Sequence, residues 1–309
     1  LMNGTLYQGS KPVMWSPVEK TALAEAEVEY HDKESFTIWV KFKVVGTDDA
    51  TLDGAHVVIW TTTPWTMPSN KAVVYGEDIS YGLYEVIGRP EESWVTIGDR
   101  YLLSDSMAMD VFGRARLDDT MVRRLRDVTQ GELAKIKLQH PLAGAEGSNG
   151  EWDDLRDFRA ADFVTDTEGT GFVHCAPSHG LEEYELYRGL GMLDQVITYH
   201  VVEDGSFRAD LPFFGGKKIL KPNGKEGDAN TAVINKLVEV GGLLARGKIK
   251  HSYPHSWRSK APVIYRNTPQ WFAAIDRPVG DGQDTFGKTI RERALTEIDN
   301  VNWVPKKGR

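Results

Sequence analysis

The chain is poor in cysteine and in long apolar runs, and both absences narrow its class. Its 309 residues include one cysteine, Cys175, so no internal disulfide can form. This composition is typical of a reducing compartment, and the sequence predicts a cytoplasmic location. No apolar run approaches the ~18 residues that span a bilayer, so no membrane partner is expected. The first residues lack the basic and apolar regions of a signal peptide.

Three motifs for cofactors and metal ions are also missing. The sequence contains no Gly-x-Gly-x-x-Gly, no His-Glu-x-x-His and no Cys-x-x-Cys. We therefore expect neither a cofactor nor a metal ion.

The chain has a negative net charge but contains a strongly basic run. The formal net charge is −8, which argues against a polyanionic partner, yet the run 246–266 holds six Lys or Arg, two His and no acidic residue. A patch of one sign attracts an anionic ligand within a Debye length, whatever the distant charge. This run is either a contact for tRNA, a solvated basic face, or a face turned towards another part of the protein.

The apolar pattern predicts many short strands and few helices. Alternation from Phe36 to Val45 indicates a half-buried strand. Further strands are expected at 55–63, 70–75, 81–87 and 94–97, and a hairpin is expected to join 162–164 to 171–174. Helices are expected at 101–114, 120–125, 181–190 and 229–240, the last two ended by glycine. The order of elements predicts an α+β fold with a β-barrel core and peripheral helices.

The first of two informative segments covers residues 60–70, Trp-Thr-Thr-Thr-Pro-Trp-Thr-Met-Pro-Ser-Asn. It predicts a buried strand that ends in a polar turn, where hydroxyl groups face a pocket on a rigid frame. The hydroxyls of Thr61, Thr62 and Thr63 are candidates to bond a substrate carbonyl, a substrate hydroxyl or an attacking water, with Asn70 adding an amide. The alternative is that these β-branched residues only end a strand.

The second segment covers residues 169–180, Gly-Thr-Gly-Phe-Val-His-Cys-Ala-Pro-Ser-His-Gly. His174 stands among small neighbours that leave room for a ligand, although it can equally be a structural histidine. Cys175 points to the opposite face and is expected to pack in the core. Glu183, in the first turn of the following helix, either binds a substrate ammonium or complements the helix dipole. Adjacent Ser178 and His179 point apart, so no Ser-His-Asp triad is expected.

Both segments closely resemble the editing (CP1) insertion of the isoleucyl-tRNA synthetases. The flanks are similar to the start and the end of that insertion, at 11–17, 21–30, 253–258 and 268–272. The related valyl and leucyl editing domains carry Arg-Pro where this chain has Thr63-Pro64. The synthetic signatures His-Ile-Gly-His and Lys-Met-Ser-Lys-Ser are absent, so amino-acid activation is not expected.

The resemblance implies hydrolysis of valine wrongly attached to the 3′-terminal adenosine of tRNA(Ile). It implies that Thr61, Thr62 and Thr63 contact the adenosine and aminoacyl group, supported by Trp60, Asn70 and Gly171. It implies that His174 lines the side-chain pocket and that the carboxylate binding the α-ammonium falls on Glu183. The partners implied are this tRNA end and the rest of the parent synthetase; the isolated piece is expected to be a monomer.

The resemblance also implies a division of the chain and two departures from the family. Residues 1–34 would lead in from the synthetase body, 35–245 would form the editing domain, and 246–309 would return to the body. The family has aspartate where this chain has Glu183. Paired cysteines of some relatives are replaced by Ser16, Glu19, Ser256 and Ser259, so no zinc is expected, and aromatic packing should hold the Trp15 and Trp257 turns together.

Three alternatives remain open. The chain can be a catalytically weakened tRNA-binding insertion, as Glu183 suggests. It can be the editing domain of a related valyl or leucyl synthetase. A free-standing hydrolase of small esters fits less well, because both ends of the chain resemble mid-protein segments and suggest a piece of a longer polypeptide.

Overall fold

The protein is described from a computed structural model that covers residues 5–278 and 287–308. The chain divides into two units, one made of Leu1–Lys11 with Thr268–Arg309 and the other of Pro12–Asn267. All predicted site residues belong to the second unit. Within the first unit, the Tyr7 ring stacks on Phe272 with centroids 5.7 Å apart.

Strands predominate in the described part of the chain. They are β1 (Leu6–Ser16), β2 (Thr21–Ala22), β3 (Val28–Val45), β4 (His56–Thr61), β5 (Ala72–Tyr75), β6 (Tyr81–Val86), β7 (Arg100–Ser104), β8 (Val122–Val128), β9 (Lys137–Gln139), β10 (Asp157–Ala160), β11 (Phe172–Cys175), β12 (Leu243–Ser256) and β13 (Ile264–Ala273). The α-helices are α1 (Ala108–Arg114), α2 (Gln130–Leu133), α3 (Leu181–Gly189), α4 (Leu193–Val196), α5 (Ala229–Glu239) and α6 (Ile290–Asn300), and 3-10 helices cover Glu25–Glu27, Pro64–Ser69 and Lys306–Gly308. None of these helices has the length and apolar character required to cross a bilayer.

The strands form three sheets. A seven-stranded sheet has the order β12-β3-β4-β7-β6-β8, with β9 also paired to β3; the two three-stranded sheets are β10-β5-β11 and β13-β1-β2. The β4–β7 and β10–β5 pairs are parallel. The fold class is α+β, as predicted. Among the described residues β12 and β8 do not pair with each other, so the large sheet is open and does not close into a barrel.

The large sheet separates two apolar cores. Val57 and Ile59 of β4 lie in the larger core, whereas Val58 lies in a smaller core with Phe112 of α1. A strand covered on both faces has a continuous apolar sequence, which is the pattern of β4. Because both faces are packed, the end of β4, where Thr61 begins the polar turn, is held rigidly.

One predicted helix begins too early and another is wrong. Residues 101–104 form most of β7, which lies between β4 and β6, and only Ala108–Arg114 are helical. A short, fully buried apolar run cannot be assigned to strand or helix by its periodicity. The predicted helix at 120–125 is largely β8, an edge strand paired with β6. Arg123 contacts Glu85 of that neighbouring strand at 2.5 Å, so tertiary pairing outweighs local helix preference there.

Two predicted strand features are also wrong, whereas two helix ends are confirmed. Residues 94–97 form no strand. Residues 171–174 do not pair with 162–164 in a hairpin, because β11 pairs with β5 instead. Helices α3 and α5 end just before Gly191 and Gly241, whose φ angles of +68° and +69° are those of glycine C-caps.

Candidate active site

The two informative segments meet at one end of the β10-β5-β11 sheet. The chain leaves β4, makes the 3-10 helix Pro64–Ser69, and enters β5 after Asn70. Strand β11 runs antiparallel to β5 and places His174 opposite Val73. This register brings the threonine-rich turn and the histidine strand together, although they are far apart in sequence.

A buried hydrogen-bond cluster joins the turn to His174. The Asn70 side-chain amide lies 2.8 Å from His174 Nδ1 and also donates to the Ala72 carbonyl at 2.8 Å. On the other side, His174 Nε2 lies 2.9 Å from Thr66 Oγ1, which donates to the Thr63 carbonyl at 2.8 Å. Since Nδ1 accepts from the amide, Nε2 carries the hydrogen and donates to Thr66.

This cluster holds His174 in one neutral tautomer. Burial, with a smaller effect of nearby His179, lowers the pKa of His174 to about 3. Both ring nitrogens have partners, so neither is free to take a proton from water. The geometry therefore makes His174 a fixed, neutral member of this cluster and does not give it the role of a general base. Its predicted role in lining a side-chain pocket stays a prediction. Asn70 Oδ1 is buried without a hydrogen-bond partner, and it is the acceptor left open in the cluster.

The three threonines do not act alike. Thr61 Oγ1 accepts from the Thr63 backbone N–H at 3.1 Å and lies 3.2 Å from the Thr63 hydroxyl. Thr62 and Thr63 line a narrow cavity with Trp65, and its volume of about 10 Å³ holds at most one water. An aminoacyl group would therefore enter this cavity only if side chains around it move.

Two other predicted residues lie outside the cluster. The Trp60 indole N–H donates to the Thr37 hydroxyl, and its ring lines a separate pocket of about 350 Å³ beside Gly169. Gly171 has φ +79°, and a Cβ there would be 2.4 Å from Ser104 Cβ, so only glycine fits. Its carbonyl accepts from the Tyr81 hydroxyl at 2.7 Å. Gly171 therefore allows a close approach of two backbones.

Glu183 lies in the first turn of α3 and folds back on its own helix. Its carboxylate occupies the space beside Gly180, where an added Cβ would be 1.7 Å from Oε2. Burial raises the pKa of Glu183 to about 7, and the charge of Glu182 adds to this effect. In the described part of the chain no hydrogen bond joins Glu183 to His174 or to the threonines. Cys175 is fully buried in the core, as predicted.

The sequence did not reveal a second chain of polar groups beside the cluster. Ser69 Oγ lies 3.1 Å from His179 Nε2 and 3.2 Å from His200 Nδ1. His179 Nδ1 faces the Tyr265 carbonyl at 2.9 Å, and His200 Nε2 faces Glu151 Oε1 at 3.0 Å. This row of groups has four contacts, and the groups at its two ends, the Tyr265 carbonyl and the Glu151 carboxylate, can only accept hydrogen bonds. The two neutral histidines and the Ser69 hydroxyl between them supply only three hydrogens. One of the four contacts therefore has no hydrogen to share, unless one of the two histidines takes up a proton.

This second chain anchors the last residue of the 3-10 helix, next to Asn70. His179 was visible as a conspicuous histidine of the second segment, but nothing in the sequence connected it to Ser69. His200 and Glu151 carry no motif at all. Only the fold brings these groups together.

The four positions where some relatives have cysteines are close together. Glu19 Oε1 accepts from the Ser256 hydroxyl at 2.8 Å and from the Ser259 backbone N–H at 2.9 Å, and Ser16 Oγ accepts from the Glu19 N–H at 3.2 Å. We call this group the Glu19 clip. Three hydroxyls and one carboxylate do not supply the thiolate or imidazole ligands of a tetrahedral zinc.

The clip replaces the aromatic packing that we expected at these turns. The Trp15 ring faces the Arg266 guanidinium at 4.8 Å and the Trp257 ring faces Arg258 at 5.8 Å, so each indole has a cation as its partner. A carboxylate with two donors holds the turns together instead.

One phosphate-loop pattern does occur in the sequence, Gly-Gln-Asp-Thr-Phe-Gly-Lys-Thr at 282–289. Most of it lies outside the described residues. Lys288 and Thr289 directly precede α6, and the described residues 274–278 contain no strand. A phosphate loop follows a strand, so this match does not change the expectation of no cofactor. In residues 5–278 and 287–308 no cluster of His, Cys, Asp and Glu is arranged to hold a metal ion.

Comparison with known proteins yields one family. The model of the family described as tRNA synthetases class I (I, L, M and V) matches residues 1–309. The isoleucine–tRNA ligase of Ruegeria pomeroyi is 76% identical over 310 residues, covering 100% of this chain and 32% of that protein. That of Bradyrhizobium diazoefficiens is 47% identical over 313 residues, covering 99% of this chain and 31% of the relative. The chain therefore spans about a third of the length of these relatives.

Two solved structures show a weaker likeness. The crystal structure of GlLeuRS-CP1 has a TM-score of 0.47 and 13% identity, and the match covers 68% of this chain and 99% of that one. The editing domain of the Plasmodium falciparum cytosolic leucyl-tRNA synthetase has a TM-score of 0.36 and 12% identity, with 50% and 66% covered.

Proposed function

Since the chain belongs to the class I tRNA synthetase family (I, L, M and V), we propose that it is the editing unit of an isoleucine–tRNA ligase. In this proposal it hydrolyses the ester of valine wrongly attached to the 3′-terminal adenosine of tRNA(Ile), in the cytoplasm. The high identity to isoleucine–tRNA ligases supports the choice of isoleucine over the valyl and leucyl alternatives. The synthetic motifs lie outside this chain, so ligation is not part of the proposal.

The observation that carries the proposal is the junction of the two motifs. The threonine turn and the histidine strand converge through Thr66, whose hydroxyl lies 2.9 Å from His174 Nε2. Thr61, Thr62 and Thr63 would contact the adenosine and the aminoacyl group. His174, neutral and fixed on both sides, would set the size of the side-chain pocket. A rigid wall of this kind discriminates by steric fit, which suits a pocket that accepts valine and rejects isoleucine.

The hydrolytic step needs a water and no protein base. The water oxygen attacks the ester carbonyl carbon, the bond from that carbon to the ribose oxygen breaks, and the ribose oxygen gains a proton. Because both His174 nitrogens have partners, we assign activation of the water to the neighbouring ribose hydroxyl of the substrate. The enzyme would contribute position and exclusion of bulk water, and the open acceptor Asn70 Oδ1 can hold the water or a substrate donor.

Glu183 would bind the α-ammonium of the valyl group. Its carboxylate now lies against Gly180, so it must turn away from its own helix to reach the substrate. A cation beside Glu183 would favour the ionised form and lower its raised pKa. In this proposal substrate binding is therefore linked to release of a proton from Glu183 near neutral pH.

Deacylation of pre-formed aminoacyl-tRNA tests the proposal. The 309-residue chain should release valine from valyl-tRNA(Ile) and leave isoleucyl-tRNA(Ile) intact. Glu183→Ala should slow the reaction by about 10- to 100-fold, the cost of losing one charged hydrogen bond. Glu182→Ala, which removes the exposed neighbouring carboxylate, is the matched control and should retain activity.

The same assay separates the competing readings. Replacement of the vicinal ribose hydroxyl by hydrogen should abolish most of the rate if the substrate assists. A chain that binds the RNA but releases no valine would be a weakened binding insertion, and the hydrolytic proposal would be wrong. Full activity of Glu183→Ala would remove Glu183 from the ammonium site.

A further inference from the structure

A second concave site lies on the other side of the large sheet, next to α1. It is a cleft of about 340 Å³ lined by Arg114 and Arg116 at the end of α1, Arg246 of β12, and the loop residues Glu92 and Trp94. Glu92 pairs with Arg116 at 2.6 Å, and Asp110 pairs with Arg114 at 3.4 Å. Among the described residues, Arg246 therefore carries the one positive charge of the cleft lining that has no counter-ion. We call it the arginine cleft.

Arg246 is unusual among the arginines of this protein. Within residues 5–278 and 287–308 it is the arginine whose side chain has neither a hydrogen bond nor an ion pair, and its guanidinium lies 5.6 Å above the Trp94 ring. The next basic residues on the same exposed edge of β12 are paired, Lys248 with Glu34 at 2.6 Å and Lys250 with Asp32 at 3.0 Å.

The register explains why Arg246 has no partner. Strand β12 pairs antiparallel with β3, so Lys250 lies opposite Glu34 and Arg246 lies opposite Ile38. The acidic residues of β3 end at Glu34, and no carboxylate follows at the level of Arg246. An unpaired guanidinium keeps its planar set of donors for a ligand, and phosphate is the anion that matches this fork.

The aromatic residue beside Arg246 points to the kind of phosphate ligand. The Trp94 side chain is 43% exposed, although a tryptophan in a loop gains from burial. Exposed indoles next to cationic grooves are the stacking surfaces on which single-stranded nucleic acids place their bases. An isolated phosphate or an acidic peptide would use the guanidinium groups and leave this indole without a function.

The arginine cleft lies next to the pocket beside Trp60. Arg114 lines both, and its guanidinium also lies 5.5 Å above the Trp39 ring. The second pocket reaches Trp60 and Gly169, which are the first residues of the two site segments. A polymer that ends at the candidate active site would therefore pass Arg114, which shares one pocket with Trp60 and the other with Trp94.

We infer that the arginine cleft binds a single-stranded RNA segment, with a phosphate held by Arg114 and Arg246 and a base stacked on Trp94. The inference rests on the proposed function for the identity of the polymer, a nucleotide upstream of the esterified adenosine. It adds the place where that segment lies and the residues that hold it. The volume of the cleft suits one nucleotide.

Binding of uncharged RNA tests the inference separately from hydrolysis. The probe is a fluorescent RNA hairpin with a tRNA acceptor stem and a single-stranded 3′ tail, titrated with the 309-residue chain and followed by anisotropy. Arg246→Ala should weaken binding about tenfold and reduce the slope of log K against log salt by about 0.7. Trp94→Ala should weaken binding about tenfold with an unchanged slope, whereas Trp94→Phe, which retains a stacking face, should bind nearly as wild type.

Two controls sharpen the result. Lys250→Ala removes a paired cation from the same strand and should change the affinity less than twofold. The hairpin without its tail should bind equally to wild type and to Arg246→Ala. Urea unfolding of each variant shows whether it is folded. Arg246→Ala should be folded, because an exposed arginine without a partner contributes little to stability.

The outcomes separate the two proposals. If wild type hydrolyses valyl-tRNA but Arg246→Ala and Trp94→Ala bind the tailed hairpin normally, the cleft inference is wrong and the function stands. If the cleft variants lose binding but wild type releases no valine, the RNA site stands and hydrolysis fails. Equal loss with the blunt hairpin would show duplex contact and overturn the single-strand assignment, as would an absence of binding by wild type.

Discussion

The His174 cluster and the arginine cleft lie in one unit of the protein and treat polar groups in opposite ways. In the cluster both nitrogens of His174 have partners within 2.9 Å, and the histidine is 8% exposed. In the cleft the guanidinium of Arg246 has no acceptor and its neighbour Trp94 is 43% exposed. Among the described residues, the central group of the first region has hydrogen-bond partners on both sides, whereas the central group of the second has none.

The difference shows where each region obtains its selectivity. A buried cluster whose central histidine is bonded on both sides resists rearrangement, because a displaced polar group would lose its partner in a poorly solvated place. A rigid cluster of this kind suits a site that discriminates between ligands by their shape. An exposed and unpaired cation adds little to stability but attracts an anion from a distance. We therefore expect mutations in the cluster to affect folding and mutations in the cleft to affect binding alone.

The largest expected effect is acid destabilisation through the buried histidines. Burial lowers the pKa of His56 to about 4 and of His174 to about 3, and it lowers that of His140 well below its usual range. Since the folded-state pKa lies below the unfolded value of about 6.5, their stabilising contribution is complete above pH 6.5 and is lost as pH falls. The free energy of unfolding should drop on the order of 4 kcal/mol between pH 7.5 and 5.5.

Urea titrations at the two pH values measure this drop. His174→Gln should show a smaller pH dependence than wild type by about 1 kcal/mol. Glu183 opposes the trend, because its raised pKa favours the folded state as pH falls. An unfolding free energy that stays constant over this range would contradict the neutral, bonded state of the cluster.

The next effect is removal of the central histidine. His174→Ala removes one hydrogen bond each from the Asn70 amide and the Thr66 hydroxyl and opens a cavity, so the unfolding free energy at pH 7.5 should fall by about 3 kcal/mol. His31→Ala is the matched control, since that ring is exposed and should change stability by under about 0.5 kcal/mol. Equal stability of the two variants would mean that the His174 cluster does not stabilise the fold.

A third effect concerns the carboxylate beside the site. The folded pKa of Glu183, about 7, is above its unfolded value, so the folded state favours the protonated form and stability falls as pH rises through 7. Glu183→Gln imitates the protonated form and should stabilise the chain by about 1–2 kcal/mol at pH 8.5, with little effect at pH 5. Glu182→Gln provides the control, and a stabilisation that is the same at both pH values would argue against burial as its cause.

A smaller effect is expected at the Glu19 clip. Burial raises the pKa of Glu19, but hydrogen bonds from Ser256 and Ser259 outweigh it, and the net pKa is lowered. The stabilisation is therefore present above the unfolded pKa and is lost as pH falls through the lower folded value. Glu19→Gln should cost about 1 kcal/mol at pH 7 and nothing below pH 3. Glu25→Gln, at an exposed site nearby, should cost nothing at either pH.

The smallest effect on stability is expected in the arginine cleft. Arg246→Ala removes no hydrogen bond, so urea unfolding at pH 7.5 should change by under about 0.5 kcal/mol. A loss similar to that of His174→Ala would show that Arg246 has a structural role, and the contrast between the two regions would disappear.

Several features of the fold were predictable from local sequence. The alternation at 36–45 predicted the core strand β3, and glycines after apolar periodic segments predicted the ends of α3 and α5. Both site segments were recognised as strand ends with polar turns, since proline and threonine act over a few residues. The secondary-structure predictions failed where a strand distant in sequence determines the local structure. β8 is a strand because β6 lies beside it, and β11 pairs with β5 rather than with the segment before it in the sequence.

The amino-acid sequence by itself determined the family, the positions of Thr61, Asn70 and His174, and the basic character of the run that contains Arg246. The tertiary structure alone decided which of these groups have partners. It joined Asn70 and Thr66 to His174, folded Glu183 onto Gly180, and left Arg246 opposite an apolar residue. The reason is physical: a residue type sets what a side chain can donate or accept, whereas its protonation and readiness for a ligand depend on burial and on partners from distant parts of the chain.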